Sequence, residues 1–203
     1  MLRSGSVPYG LAGFLALWVL AVGFGQLKLL DYSNTPTVGA APPATWPESS
    51  SLVKRPGRLT AVMLAHPQCP CTRASIGELA IAAAQAAGRL DIYVVFLESP
   101  AFELESDLWR SALEIPNTKV IADADGAEIQ RFGVKASGHT LVYDAAGRLA
   151  FSGGVVSARG HAGANRGREA IVELALHDRS SVQSSPVFGC ALQSRVPPLA
   201  AAR

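Results

Sequence analysis

The 203-residue chain is 49% apolar and carries a formal net charge of +2. That is enough apolar matter for one well-formed core with appendages, while the weak charge, with scattered arginines and no interleaved aromatics, excludes a nucleic-acid partner. Its three cysteines are too few, and odd in number, for a disulfide scaffold, so their chemistry must come from position.

The first thirty residues differ from the rest. No charged side chain occurs from Val7 to Leu27, and as a helix that stretch spans roughly 30 Å, the thickness of a bilayer's hydrocarbon core. Residues 1–30 are therefore expected to be a membrane anchor, with a cleaved signal as the alternative. The nearest small-x-small cleavage site, Val38-Gly39-Ala40, lies well downstream. With the N-terminal positive end inside, the rest of the chain faces the periplasm or extracellular side of the inner (cytoplasmic) membrane, where disulfides persist. Residues 31–57 hold Pro36, Pro42, Pro43, Pro47 and Pro56 among Ser, Thr and Ala; they read as a linker too polar to offset its own ordering entropy.

From residue 58 the hydrophobic period alternates. Arg58–Ala65 reads as a buried strand, followed by a helix with Ile76, Leu79, Ala80, Ala83 and Ala87 on one face and Gly88 as its stop. Asp91–Glu98, apolar on both faces, reads as a central strand. A helix is expected between Phe102 and Leu113, a third strand at Thr118–Asp123, and a turn with a short helix in "DADGAEIQRFGV". His139–Gly154 fits a hairpin around Asp144-Ala145-Ala146-Gly147, and Asn165 caps a last helix ending near Asp178. The expected class is α/β: a mixed sheet of about five strands with helices on both faces, occupying residues 58–178 and followed by a tail, 179–203, that carries Cys190.

The chemistry concentrates in "HPQCPC" (His66–Cys71). Pro70 suits the first helical position, which puts Cys69 at the cap and Cys71 in the first turn, where the helix dipole favours thiolate. A disulfide between cysteines two positions apart is strained, hence easily reduced. His66 either ends the strand or serves as a further ligand. Cys190, after an apolar "PVFG", either packs as a lone thiol, resolves a disulfide at Cys69 or Cys71, or adds a third sulfur to a metal. The arginine- and glycine-rich loop 158–168 reads as a solvated, flexible loop rather than an anion cradle. "DADG" reads as a turn, because the later acidic ligands of a calcium loop are missing.

The stretches "AVMLAHPQCPCTRASIGELA" and "FGVKASGHTLVYDAAGRLAFSGG" resemble the active-site strand, loop and helix, and the later hairpin, of the thioredoxin-like superfamily. The nearest branch is that of the membrane-anchored extracytoplasmic proteins of the TlpA/ResA and SCO types. The resemblance implies a thioredoxin-like fold behind one transmembrane helix, and thiol–disulfide exchange with protein partners that requires no cofactor. Two departures stand out: Cys-x-Cys replaces the family's Cys-x-x-Cys, and His139 stands before Thr140 where a cis-proline is usual. The redox reading assigns catalysis to Cys69, Cys71 and His139, with Cys69 as attacker and His139 exchanging protons or docking substrate. The SCO-like alternative makes Cys69, Cys71 and His139 ligands of copper. A turn residue bonded to a nearby carbonyl is the plainer account of His139. The peroxidase loop of related proteins also resembles this stretch, but Gln68 and His66 stand where its threonine or serine is required.

Overall fold

The structure is a computed structural model describing residues 9–37, 40–98 and 104–192. It divides into two compact units, Met1–Thr35 and Pro36–Arg203. The first contains helix α1 (Tyr9–Asn34), whose 26 residues include a window of mean hydropathy 1.8 and none of whose residues is buried. It is long and apolar enough to cross a membrane. Of the suggested cleavage site, Val38 and Gly39 lie outside the described residues.

The second unit runs β1 (Leu59–Ala65), α2 (Pro70–Gln85), β2 (Leu90–Glu98), α3 (Asp107–Leu113), β3 (Thr118–Ala124), α4 (Ala127–Arg131), β4 (His139–Tyr143), β5 (Leu149–Gly154) and α5 (Arg166–His177). The strands form one sheet in the order β3-β2-β1-β4-β5, with β1, β2 and β3 parallel and the β4–β5 hairpin antiparallel. This is the mixed five-stranded sheet that the sequence predicts. Every residue of β1 is buried, as the central position demands.

Alternation along the strands builds two cores. Ala61, Met63, Ile92, Val94 and Phe96 pack with Ile76 and Leu79 of α2, Leu108 of α3 and Ile171 of α5. Val62, Leu64, Tyr93, Val95 and Leu141 face the other way, against Ile129 of α4, Phe132, Leu52 and Trp46. The only helix on that second face, among the described residues, has five residues, too few to cover a five-stranded sheet.

The proline-rich segment supplies the missing cover, which corrects its reading as a free linker. The Trp46 ring meets Phe132 and Tyr143 edge-on, with centroids 5.3 and 5.2 Å away. Ser50 and Ser51 bond the buried Glu128 carboxylate, and Arg55 and Arg58 pair with Asp91. Composition predicts a tether, but a half-open sheet face rewards the few apolar residues the segment has.

Several local expectations are met. Asn165 accepts the Arg168 N–H at 2.8 Å and caps α5. Gly147, at φ +80°, closes the hairpin turn, with its N–H donating to the Asp144 carbonyl. Asp123 accepts the N–H groups of Glu128 and Ile129, so "DADG" is the turn into α4. Helix α2 stops at Gln85, three residues before Gly88. The expected helix in 102–113 starts at Asp107 behind a Ser106 cap, and residues 102 and 103 lie outside the described ones. Loop 158–168 is pinned rather than free. Glu78, buried in α2, ion-pairs with Arg168 and accepts the Gly163 N–H and the Asn165 amide. A buried carboxylate demands such partners, and the loop provides them.

Candidate active site

The site forms where β1, the centre of the sheet, gives way to α2. The chain turns after Ala65, with the Cys69 N–H donating to the His66 carbonyl. The His66 ring accepts the Gln68 N–H at 3.1 Å, so this histidine closes the loop at the strand's end. Cys69 then takes the N-cap position, in extended conformation, with Pro70 opening the helix. No side chain caps α2 at Cys69, so the helix's positive end stays directed at the sulfurs.

Cys69 is buried, while Cys71 and Cys190 are partly exposed, and all three are free thiols. Their sulfurs lie within 4.8 Å of one another. One close approach joins residues 121 positions apart: Cys69 Sγ and Cys190 Sγ are 2.8 Å from each other. The sequence suggests Cys71 as the partner of Cys69 and leaves the role of Cys190 open. The fold brings Cys190 in.

The tail reaches the site by backbone pairing. Ala191 bridges Ala136 in antiparallel fashion, the Ser137 N–H donates to the Cys190 carbonyl at 2.8 Å, and the Leu192 N–H donates to the Lys135 carbonyl at 2.8 Å. Val187 and Phe188 are buried, which anchors the approach. Gly189 is needed for closeness: a Cβ there would stand 1.8 Å from the Ser137 carbonyl oxygen. Arg159 adds a clamp, donating to the Gly189 carbonyl at 2.6 Å.

The three thiols are electrostatically unequal. Burial of Cys69 opposes its thiolate, yet hydrogen bonding from Cys190 and Thr72 outweighs it and lowers the pKa. Burial pushes Cys190 up to about 12, helped by its bond to Cys69 and the charge there. Cys71 is raised by burial and by the Cys69 charge. The arrangement favours ionisation at Cys69 and opposes it at Cys71 and Cys190.

His139 occupies the first position of β4, opposite Leu64 on one side and Gly154 on the other. Its backbone N–H donates to the Ala136 carbonyl, a bond that a proline there could not make. The ring is buried and its Nε2 lies 2.8 Å from Ser152 Oγ. Burial depresses its pKa to about 4, so it is neutral at physiological pH. The close ligand-atom cluster among the described residues consists of the three sulfurs, with Cys190 where the copper expectation had His139.

Two residues the sequence reading passed over tie the site together. Ser137 Oγ accepts the His66 N–H at 2.8 Å and bonds Thr72 Oγ1 at 2.6 Å. Thus one buried hydroxyl connects the strand end, the helix start and the segment carrying the tail. Their signal was present but faint: Thr72 sits three residues after Cys69, and Ser137 two before His139.

A shallow groove opens beside Cys69, lined by Pro67, Gln68, Pro70, Arg73, Ser106 and Leu108, with a volume of about 370 Å³.

No protein-family model matches the sequence, and no curated protein matches it. Solved structures do. A hypothetical protein of Sinorhizobium meliloti 1021 superposes with a TM-score of 0.55 at 22% identity, over 78% of this chain and 95% of that one. An uncharacterized conserved protein of Geobacillus kaustophilus gives 0.56 at 16% identity, over 83% and 96%. A secreted Mycobacterium tuberculosis disulfide oxidoreductase homologous to E. coli DsbE matches more loosely, at 0.43 and 16% identity, over 59% and 81%. At such identities the likeness is one of fold.

Proposed function

We propose that this chain, whose globular unit has a thioredoxin-like fold, is a membrane-tethered extracytoplasmic thiol–disulfide oxidoreductase. One observation carries the reading: a thiolate-favouring Cys69 at a helix N-terminus, with a second sulfur, that of Cys190, 2.8 Å away. Helix α1 supplies the tether, and the inner membrane with a periplasmic or extracellular globular unit is the placement that suits disulfide exchange.

The Cys69 thiolate attacks one sulfur of a substrate disulfide. The S–S bond breaks, a Cys69–substrate mixed disulfide forms, and the departing substrate sulfur takes up a proton. Cys190 then loses its proton and attacks the Cys69 sulfur, releasing the second substrate thiol and leaving a Cys69–Cys190 disulfide. The same steps in reverse oxidise a dithiol. Cys71, with its thiol form favoured, is the alternative resolving group. His139, neutral and directed to Ser152, holds β4 to β5 beside the site in this scheme. The groove flanking Cys69 is where the substrate's peptide lies.

The test is disulfide exchange by the full chain in detergent micelles against a protein disulfide. Cys69→Ser should abolish the reaction. Cys190→Ser should slow resolution to what Cys71 alone provides, so that a Cys69–substrate adduct accumulates and is visible by mass spectrometry. Full turnover by Cys69→Ser would overturn the mechanism.

A further inference from the structure

Three cysteine sulfurs within 4.8 Å of one another is more sulfur than a dithiol reaction uses. A disulfide consumes two and leaves the third over. The three come from a helix cap, a helix first turn and a docked tail, and the fold invests backbone pairing and a glycine contact in bringing the last one there.

We propose that Cys69, Cys71 and Cys190 together bind one soft monovalent metal ion, Cu(I), in a three-sulfur site. Thiolates select soft ions. An ion about 2.3 Å from each of three sulfurs in a plane sets those sulfurs about 4 Å apart, a separation within the 4.8 Å spread observed. Cys69 and Cys190, at 2.8 Å, have only to part by about 1 Å. They belong to separate segments, and the tail side is irregular chain outside the strands of the sheet. The donor count separates the candidate metals. Zinc in a closed site takes four ligands, and among the described residues no histidine nitrogen or carboxylate oxygen joins the three sulfurs. Three thiolates around Cu(I) leave a net charge of −2, and the field of Arg159, felt at Cys71 and Cys190, offsets part of it. Binding involves no electron transfer: the ion enters as Cu(I), and the thiols release their protons to solvent. The inference uses the sulfurs of the oxidoreductase site but not their redox activity.

The full chain in detergent micelles, reduced and anaerobic, is titrated with Cu(I) against bicinchoninate. The wild type should withdraw one equivalent from the competitor. Cys69→Ser, Cys71→Ser and Cys190→Ser should each weaken binding about tenfold or more, and His139→Ala should leave it within about twofold. X-ray absorption of the wild-type complex, which needs no variant to fold, should show three sulfur scatterers and no nitrogen. Failure to compete, wild-type affinity in any single cysteine variant, or a two-sulfur or nitrogen-containing shell overturns the site. Disulfide exchange is measured on the same metal-free samples. Exchange without copper binding sinks this inference alone, and copper binding without exchange sinks the oxidoreductase reading alone.

Discussion

The two sides of the cysteine site are held by different forces. Cys69 and Cys71 sit on the seam between the central strand and α2, so their placement is as stable as the sheet itself: β1 is wholly buried and pairs on both edges. Cys190 rides on irregular chain held by a few backbone hydrogen bonds, the buried side chains of Val187, Phe188 and Leu192, and an arginine clamp. Moving the first pair requires disturbing the core, whereas moving Cys190 requires only local release. The proposed thiol exchange would gain from this asymmetry, with the attacking sulfur fixed and its covering partner free to withdraw for substrate.

The sheet side should answer to global stability. His139 is neutral in the fold with a pKa of about 4, against 6.5 for the free side chain. Between those values the unfolded chain binds a proton that the folded chain refuses. Stability therefore falls as pH drops from about 6.5 to about 4 and levels off below, by at most about 3 kcal/mol from this group. Denaturant melts at pH 7 and 4.5 should show that loss, and His139→Gln should flatten it. An unchanged slope in the variant would place the pH dependence elsewhere.

The tail side should answer locally. In Gly189→Ala the new methyl meets the Ser137 carbonyl, so the tail must lift and forfeit the Ser137 and Leu192 N–H bonds, together worth about 2 kcal/mol. Hydrogen exchange should accelerate at those two amides while β1 and β2 stay protected. Equal acceleration in the central strands would show that tail and sheet form one cooperative unit, erasing the contrast.

The same contrast explains what the sequence made legible. Strand and helix order, the Asp144–Gly147 turn, the Asn165 cap and the Cys69 helix start are local patterns of apolar period, glycine and capping residue, and each is found. What composition concealed is long-range. Trp46 lies in a segment whose prolines and serines suggest a tether, and only a sheet face left bare by the five-residue α4 makes it core. Likewise nothing near Cys190 states that Ala191 will bridge Ala136, or that Gly189 clears the Ser137 carbonyl. The Cys-x-Cys spacing points to the sequence neighbours, while a sulfur 2.8 Å from Cys69 is supplied from the tail.

Disulfide mapping is the most direct test of the central claim. The full chain, reduced and then oxidised with limiting oxidant, is digested without reduction and its linked peptides are identified by mass spectrometry. The account predicts a dominant Cys69–Cys190 bridge with Cys71 left as a free thiol. A dominant Cys69–Cys71 bridge, with Cys190 free, would contradict it.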